Sequence, residues 1–173
     1  MRDSWPARIW IVRHGESAGN VARDYARAQG HSVIEIPGRD VDVPLSPLGQ
    51  EQASALGRWF ATLPQDECPD TLLSSPYLRA RQTADALRAA NALLPGAAAT
   101  IVDERLRERE FGLLEGLTGK GIREQYPREA ELRQALRKFY YRPPGGESWC
   151  DVILRLRSAL DTIALHYSGR NVL

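Results

Sequence analysis

The 173-residue chain is poor in several residue types at once, with two cysteines, one methionine, three phenylalanines and three histidines. Cys68 and Cys150 have no second cysteine at ligand spacing, and His14, His31 and His166 lie far apart in sequence. This scarcity argues against a disulfide framework and against a zinc site built on paired ligands, so no metal site is expected. An excess of charge of one sign is also missing. Lys plus Arg number 23 against 22 Asp plus Glu, and a net charge of +1 gives no field suited to a polyanion, so nucleic acid is not an expected partner. No run approaches the roughly 18 apolar residues that span a bilayer. The opening Met1-Arg2-Asp3-Ser4-Trp5-Pro6 has no apolar core behind its basic start. No membrane partner is therefore expected, and a cytoplasmic location is the default. What remains, 43% hydrophobic and 26% charged residues without repeats or low-complexity segments, is the composition of one globular domain with an adequate core.

Hydrophobic periodicity places the elements. Ala7 to Val12 reads as a short buried strand that ends abruptly at Arg13-His14-Gly15. An irregular stretch follows, and its Val21 to Val41 portion reads as a mobile rim in which Asp40 and Asp42 form turns rather than bind metal. Ser46-Pro47 offers a helix cap, with Leu48, Ala55, Leu56, Trp59, Phe60 and Leu63 recurring on one face. Thr71 to Leu73 reads as a second strand. Ser75-Pro76 repeats the cap, and Ala80, Thr83, Ala84, Leu87 and Leu94 form the inner face of the next helix.

Thr100 to Val102 gives a third strand, and two helical stretches fill Lys120 to Tyr140 around Pro127. Ser148 caps a last helix whose inner face is Trp149, Val152, Ile153, Leu156, Leu160 and Ile163, and Asn171-Val172-Leu173 begins another strand. His166 falls within that helix, partly buried beside Tyr167. Alternating strands and helices of this length predict an α/β fold, a single three-layer domain with a mostly parallel central sheet covered on both faces. Ligands of such folds bind beyond the carboxyl ends of the strands, where the sequence puts Arg13-His14, Ser75 to Arg79, and Glu108.

Each of the three segments has an ordinary explanation when taken singly. A histidine at a strand end is often a packed core residue, and Arg79 can be a solvated helix arginine. Glu108 among Arg105, Arg107 and Arg109 can be an exposed ion-pair cluster of little energetic worth. Together they suit an anion. Arg79 lies in the first turn of a helix, so its guanidinium and the free amides of the helix end can face one ligand.

In this order the segments resemble the histidine phosphatase superfamily, the group that includes cofactor-dependent phosphoglycerate mutases, and the match runs from about Arg8 to Leu173. Arg13-His14-Gly15-Glu16-Ser17 is similar to the family's first block, with Asn20 where members contact phosphate. Ser75-Pro76-Tyr77-Leu78-Arg79-Ala80-Arg81 is similar to the second. Leu106 to Gly112 resembles the block that carries the proton donor, which puts that role on Glu108, with Glu110 as the neighbouring competitor. Pro144 to Ser148 with Arg155 resembles the lead into the last helix. The resemblance implies a phosphoglycerate mutase-like fold and catalytic roles for His14, Glu108, Arg13 and Arg79. It implies substrate contacts from Asn20, Ser17 and Arg109.

The implied activity is hydrolysis of small phosphorylated substrates through a phosphohistidine on His14. No cofactor and no metal is needed for it. Arginines next to His14 disfavour imidazolium and keep its lone pair available, while a carboxylic acid at Glu108 protonates the leaving alkoxide and then activates water. The family places a second histidine just after its last strand. The sequence stops at Leu173, so residues 1–173 are expected to be a single domain truncated at its C-terminus, a form doubtful as a catalyst, with 113–146 as a helical lid-like insertion. The lid is short for a mutase, which favours hydrolysis. The alternatives are phosphoglycerate mutase-type phosphoryl transfer, or a noncatalytic phospholigand-binding module if the chain truly ends at Leu173. The sequence assigns neither substrate nor oligomeric state.

Overall fold

The computed structural model describes residues 5–173, so Met1 to Ser4 of the opening segment lie outside it. Its strands are shorter than the apolar runs that announce them: β1 (Arg8–Ile9), β2 (Leu73–Ser74), β3 (Ile101–Val102) and β4 (Asn171–Val172). β1 pairs with β4 and β2 with β3, both in parallel. A parallel bridge between Thr71 and Val172 joins the two pairs and gives the order β1-β4-β2-β3. The last residues are therefore the middle of the sheet, with Leu173 N–H donating to Thr71 and Trp10 N–H to Val172.

Among the described residues six α-helices accompany the sheet: α1 (Ala18–Ala28), α2 (Pro47–Phe60), α3 (Leu78–Ala89), α4 (Gly119–Gln125), α5 (Pro127–Tyr140) and α6 (Trp149–His166). α1 corrects the reading of residues 21–41 as wholly irregular. Ala18, Val21, Ala22, Tyr25 and Ala26 recur along one face of this helix, though only Ala26 is buried, and its start is set by a capping box between Ser17 and Asn20. α2 begins at the expected Ser46-Pro47. α3 begins two residues later than expected, on Tyr77, while the Ser75 hydroxyl accepts the Tyr77 N–H. Arg79 nevertheless stays in the first turn.

One face of the sheet is well covered. Trp10 and Val12, alternating out of β1, pack with Leu56 and Leu63 around Phe60, Leu87 and Ala92, and Trp10 meets Phe60 edge to face with ring centroids 5.3 Å apart. α2 and α3 approach closely there, because a methyl group on Gly57 would stand 2.8 Å from the Ala90 side chain. Coverage of the other face is thinner than expected. Ile11 is 92% exposed and Val102 is open, and of the predicted inner face of α6 only Val152 and Ile163 are buried, with Leu156 and Leu160 partly bare. His166 ends α6 exposed to solvent rather than tucked beside Tyr167.

Segment 113–146 leaves and rejoins the domain at one point. Leu113 N–H donates to Pro144, and Gly112, at φ +55°, leaves no room for a side chain, since a Cβ there would be 2.2 Å from the Pro144 carbonyl oxygen. α4 is tied to the end of α1 by Thr118 Oγ1 donating to the His31 carbonyl and Lys120 to the Gly30 carbonyl. α5 lies open to water from Glu131 to Tyr140. Among the described residues no helix is long and apolar enough to cross a membrane.

Candidate active site

The carboxyl ends of β1, β2 and β3 lead into the three predicted segments, and the fold brings them together. His14 follows β1, half-buried, with Nδ1 2.6 Å from the Gly15 carbonyl oxygen. A carbonyl only accepts, so Nδ1 carries the proton and the lone pair is on Nε2. His14 is held below its ordinary pKa, first by burial and then by the positive charges of Arg79 and Arg13. The Gly15 hydrogen bond and the charge of Glu108 act in the opposite direction. The ring is thus neutral near pH 7, with one nitrogen available to an electrophile, and the charges that reach it come from all three segments.

The loop carrying His14 is locked by close backbone approach. A Cβ on Gly49 would meet the Glu16 carbonyl oxygen at 1.9 Å, so only glycine lets the first turn of α2 dock here. Ser46 N–H donates to Glu16 O, the Ser46 hydroxyl to the Glu16 carboxylate, and Glu16 N–H to the Gln52 side chain. On the other side Gly15 N–H donates to Thr83 Oγ1, and the Thr83 hydroxyl in turn donates to the Arg79 carbonyl. This two-step relay joins the backbone beside His14 to the turn that carries Arg79.

Arg79 is buried, 5% exposed, and not a solvated helix arginine. Its Nη1 donates to both the carbonyl and Oδ1 of Asp40, its Nη2 to Oδ2, and its guanidinium lies 4.7 Å from the Tyr77 ring centroid. Asp40 does form the expected turn, a single 3-10 turn over Asp40–Asp42, but its contact with Arg79 escaped sequence reasoning. A lone carboxylate in an irregular loop carries no periodic signal.

Glu108 is exposed, its Oε1 accepting the N–H of Arg109. Glu110 is engaged elsewhere, accepting from the Tyr77 hydroxyl at 3.1 Å. Burial first, and then Glu110, push the Tyr77 phenol above its ordinary range and keep it protonated. The Arg-rich stretch around Glu108 is not a loose surface cluster. The Glu147 carboxylate accepts from Arg155 Nε and Nη2, Arg107 Nη2 and the Glu110 N–H, while Arg155 also donates to the carbonyls of Arg105 and Glu108. The last helix thereby clamps the acidic loop through Glu147 and Arg155.

The other expected substrate contacts are engaged within the protein. Ser17 and Asn20 satisfy one another as the capping box of α1. Arg109, 9% exposed, donates Nε to the Glu147 carbonyl and stacks on Phe111 and Trp149. Arg13 is exposed near His14. Among the described residues no group of three or more potential metal-binding side chains comes together, and both cysteines are free.

The α/β sheet gathers a histidine, two arginines and a carboxylate near its carboxyl edge, an arrangement suited to an anion. The family model for the histidine phosphatase superfamily (branch 1) matches residues 9–173, and the chain belongs to that family. Among curated relatives, it is 33% identical over 169 residues to the bifunctional protein Rv2228c of Mycobacterium tuberculosis, covering 97% of this chain and 40% of that one. It is 35% identical over 156 residues to the 6-phosphofructo-2-kinase/fructose-2,6-bisphosphatase of Caenorhabditis elegans, covering 90% of this chain and 29% of that one. The chain spans about half or less of the length of the curated relatives it matches. Among solved structures, the fold superposes on the alpha-ribazole phosphatase of Shigella flexneri with a TM-score of 0.73 at 22% identity, over 96% of this chain and 71% of that one. Mycobacterial glucosyl-3-phosphoglycerate phosphatase Rv2419c gives a TM-score of 0.63 at 31% identity, over 87% and 60%.

Proposed function

We propose that the protein hydrolyses small phosphomonoesters, with His14 as nucleophile, Glu108 as proton donor and Arg13 and Arg79 as phosphoryl-binding groups. One observation carries this reading: Nδ1 of a half-buried imidazole is fixed on the Gly15 carbonyl while Nε2 stays unprotonated beside two guanidinium charges. Nε2 attacks phosphorus, the ester P–O bond breaks as the N–P bond forms, and Glu108 delivers its proton to the departing alkoxide. Water, deprotonated by the same carboxylate, then attacks phosphohistidine. The N–P bond breaks, inorganic phosphate leaves and neutral His14 returns. The arginines hold nonbridging oxygens through charge-assisted bonds that matter most as charge spreads in transfer.

Phosphatases among the relatives support hydrolysis over phosphoryl migration, and so does the short segment 113–146, the proposed lid. Incubation with an aryl phosphate, an alkyl phosphate and a phosphoglycerate tests the reading, with phosphate release and isomerised product measured together. Release from the esters is expected. Isomerised phosphoglycerate without release would make the protein a mutase, and binding without either product would make it a phospholigand-binding module. Glu108→Gln is expected to slow alkyl esters more than aryl esters, whose leaving groups need little proton assistance. Equal losses would remove Glu108 from the proton-donor role.

A further inference from the structure

Arg79 has five N–H bonds in a plane, and Asp40 takes three of them: two on Nη1, through its carbonyl and Oδ1, and one on Nη2, through Oδ2. The two left over, on Nε and Nη2, point in parallel from the other edge of the guanidinium, and among the described residues neither has a partner. Such an edge matches two oxygens of a phosphoryl group. The planar group has no freedom to turn. Asp40 holds one end, the Tyr77 ring covers a face at 4.7 Å, and the Tyr77 hydroxyl is itself anchored on Glu110. Asp40 is fixed in turn by its own 3-10 turn, whose following residues are stitched to the site as Leu45 N–H donates to the Gln82 side chain and Ser46 N–H to Glu16.

We propose that Asp40 is a positioning residue for phosphoryl transfer: by occupying the Nη1 end of Arg79 it fixes the remaining Nε/Nη2 edge as a rigid two-pronged cradle for the phosphoryl oxygens. The inference rests on the proposed role of Arg79. Its consequence is unusual for a residue that assists catalysis. A carboxylate so close to the cradle repels a bound dianion in the ground state, so its benefit lies in alignment during transfer and not in affinity.

Steady-state kinetics on para-nitrophenyl phosphate with Asp40→Asn, Arg79→Lys and the double variant test this. Asn keeps the size and one acceptor but loses the charge and the paired geometry. Asp40→Asn is expected to lower kcat by roughly tenfold, the scale set by loss of orientation, without raising KM. In the Arg79→Lys background, where no planar edge remains to be oriented, the same substitution is expected to leave kcat within about twofold. A kcat unchanged or raised by Asp40→Asn overturns the proposal and makes the carboxylate a competitor for the cradle. So does a loss confined to KM, or an equal fall of kcat in both backgrounds. Failure of the underlying reading is distinct, because Arg79→Lys would then match the unmodified protein. Should Asp40→Asn not fold, Asp40→Glu, which keeps the charge and shifts the carboxylate by one methylene, is expected to show the same loss of kcat only where Arg79 is present; a loss in both backgrounds or in neither overturns the proposal.

Discussion

Truncating Glu147 to alanine is the sharpest test of how the acidic loop is held. The Glu147 carboxylate lies 2.5 Å from Arg107 Nη2, 2.9 Å from Arg155 Nε, 3.1 Å from Arg155 Nη2 and 3.2 Å from the Glu110 N–H. The side chains of Glu147 and Arg155 are only 12% and 11% exposed, so this is not a screened surface pair. Removing one partner of a buried pair costs about 3–5 kcal/mol, because the other charge is left unpaired. Arg107 is 29% exposed and can regain water, which puts the expectation at the lower end, about 3 kcal/mol. For a chain of this length that is a fall in Tm of roughly 6–12 °C. Urea unfolding followed by circular dichroism measures it. Arg142→Ala serves as the control, since that guanidinium is 62% exposed in its pair with Asp151 and its loss is expected to cost less than about 1 kcal/mol.

The pH dependence of this contribution follows from the direction of the shift. Burial opposes ionisation of Glu147, but hydrogen bonds from Arg155 and the Glu110 N–H, with the Arg155 and Arg107 charges, hold its carboxyl below the usual value of 4.5. The stabilisation is therefore full above about 4.5 and is lost as pH falls through the lower folded value. A Glu147→Ala protein as stable as the unmodified one at pH 7, or one whose deficit does not shrink on acidification, would refute the clamp.

Other consequences are as direct. Thr83→Val removes both bonds of the Gly15-Thr83-Arg79 relay and is expected to cost about 1–2 kcal/mol in urea unfolding while lowering kcat; unchanged kcat would detach the relay from the site. Gly49→Ala forces a methyl group against the Glu16 carbonyl oxygen and is expected to lower both Tm and activity, whereas Gly96→Ala, at φ +83° but with open space around it, is expected to lower Tm alone. His14 has a folded pKa below its ordinary 6.5, so activity is expected to rise with pH through a limb centred below 6.5. Arg13→Ala, which removes one of the charges that depress it, is expected to move that limb upward, and a limb that stays in place would separate Arg13 from His14.

The elements that depend on local pattern were legible in the sequence: the Ser46-Pro47 and Ser148 caps, the helix breaks around Pro127, and parallel strands preceding Arg13-His14 and Ser75 to Arg79, though β1 stops at Ile9 rather than at Val12. The convergence of His14, Arg79 and Glu108 was legible because strand ends of a parallel sheet share one edge. α1 was poorly legible, although Ala18, Val21, Ala22, Tyr25 and Ala26 recur at helical spacing: three of the five are alanines and only Ala26 is buried, so the stripe is weak. The openness of Ile11, Leu156 and Leu160 was hidden too, because periodicity tells which residues share a face and not whether anything lies over it. The partners of Arg79 and Arg109 were equally hidden. Asp40 lies 39 residues from Arg79 and Glu147 lies 38 from Arg109, and long-range pairing of charges leaves no mark in local sequence.

Covalent labelling reads the central claim most directly. Brief incubation with an aryl phosphate followed by rapid denaturation and intact-mass measurement is expected to show one added phosphoryl group on the unmodified protein, labile in acid and stable in alkali, and none on His14→Ala. Label that persists in His14→Ala, or phosphate release by that variant at the rate of the unmodified protein, would contradict the account.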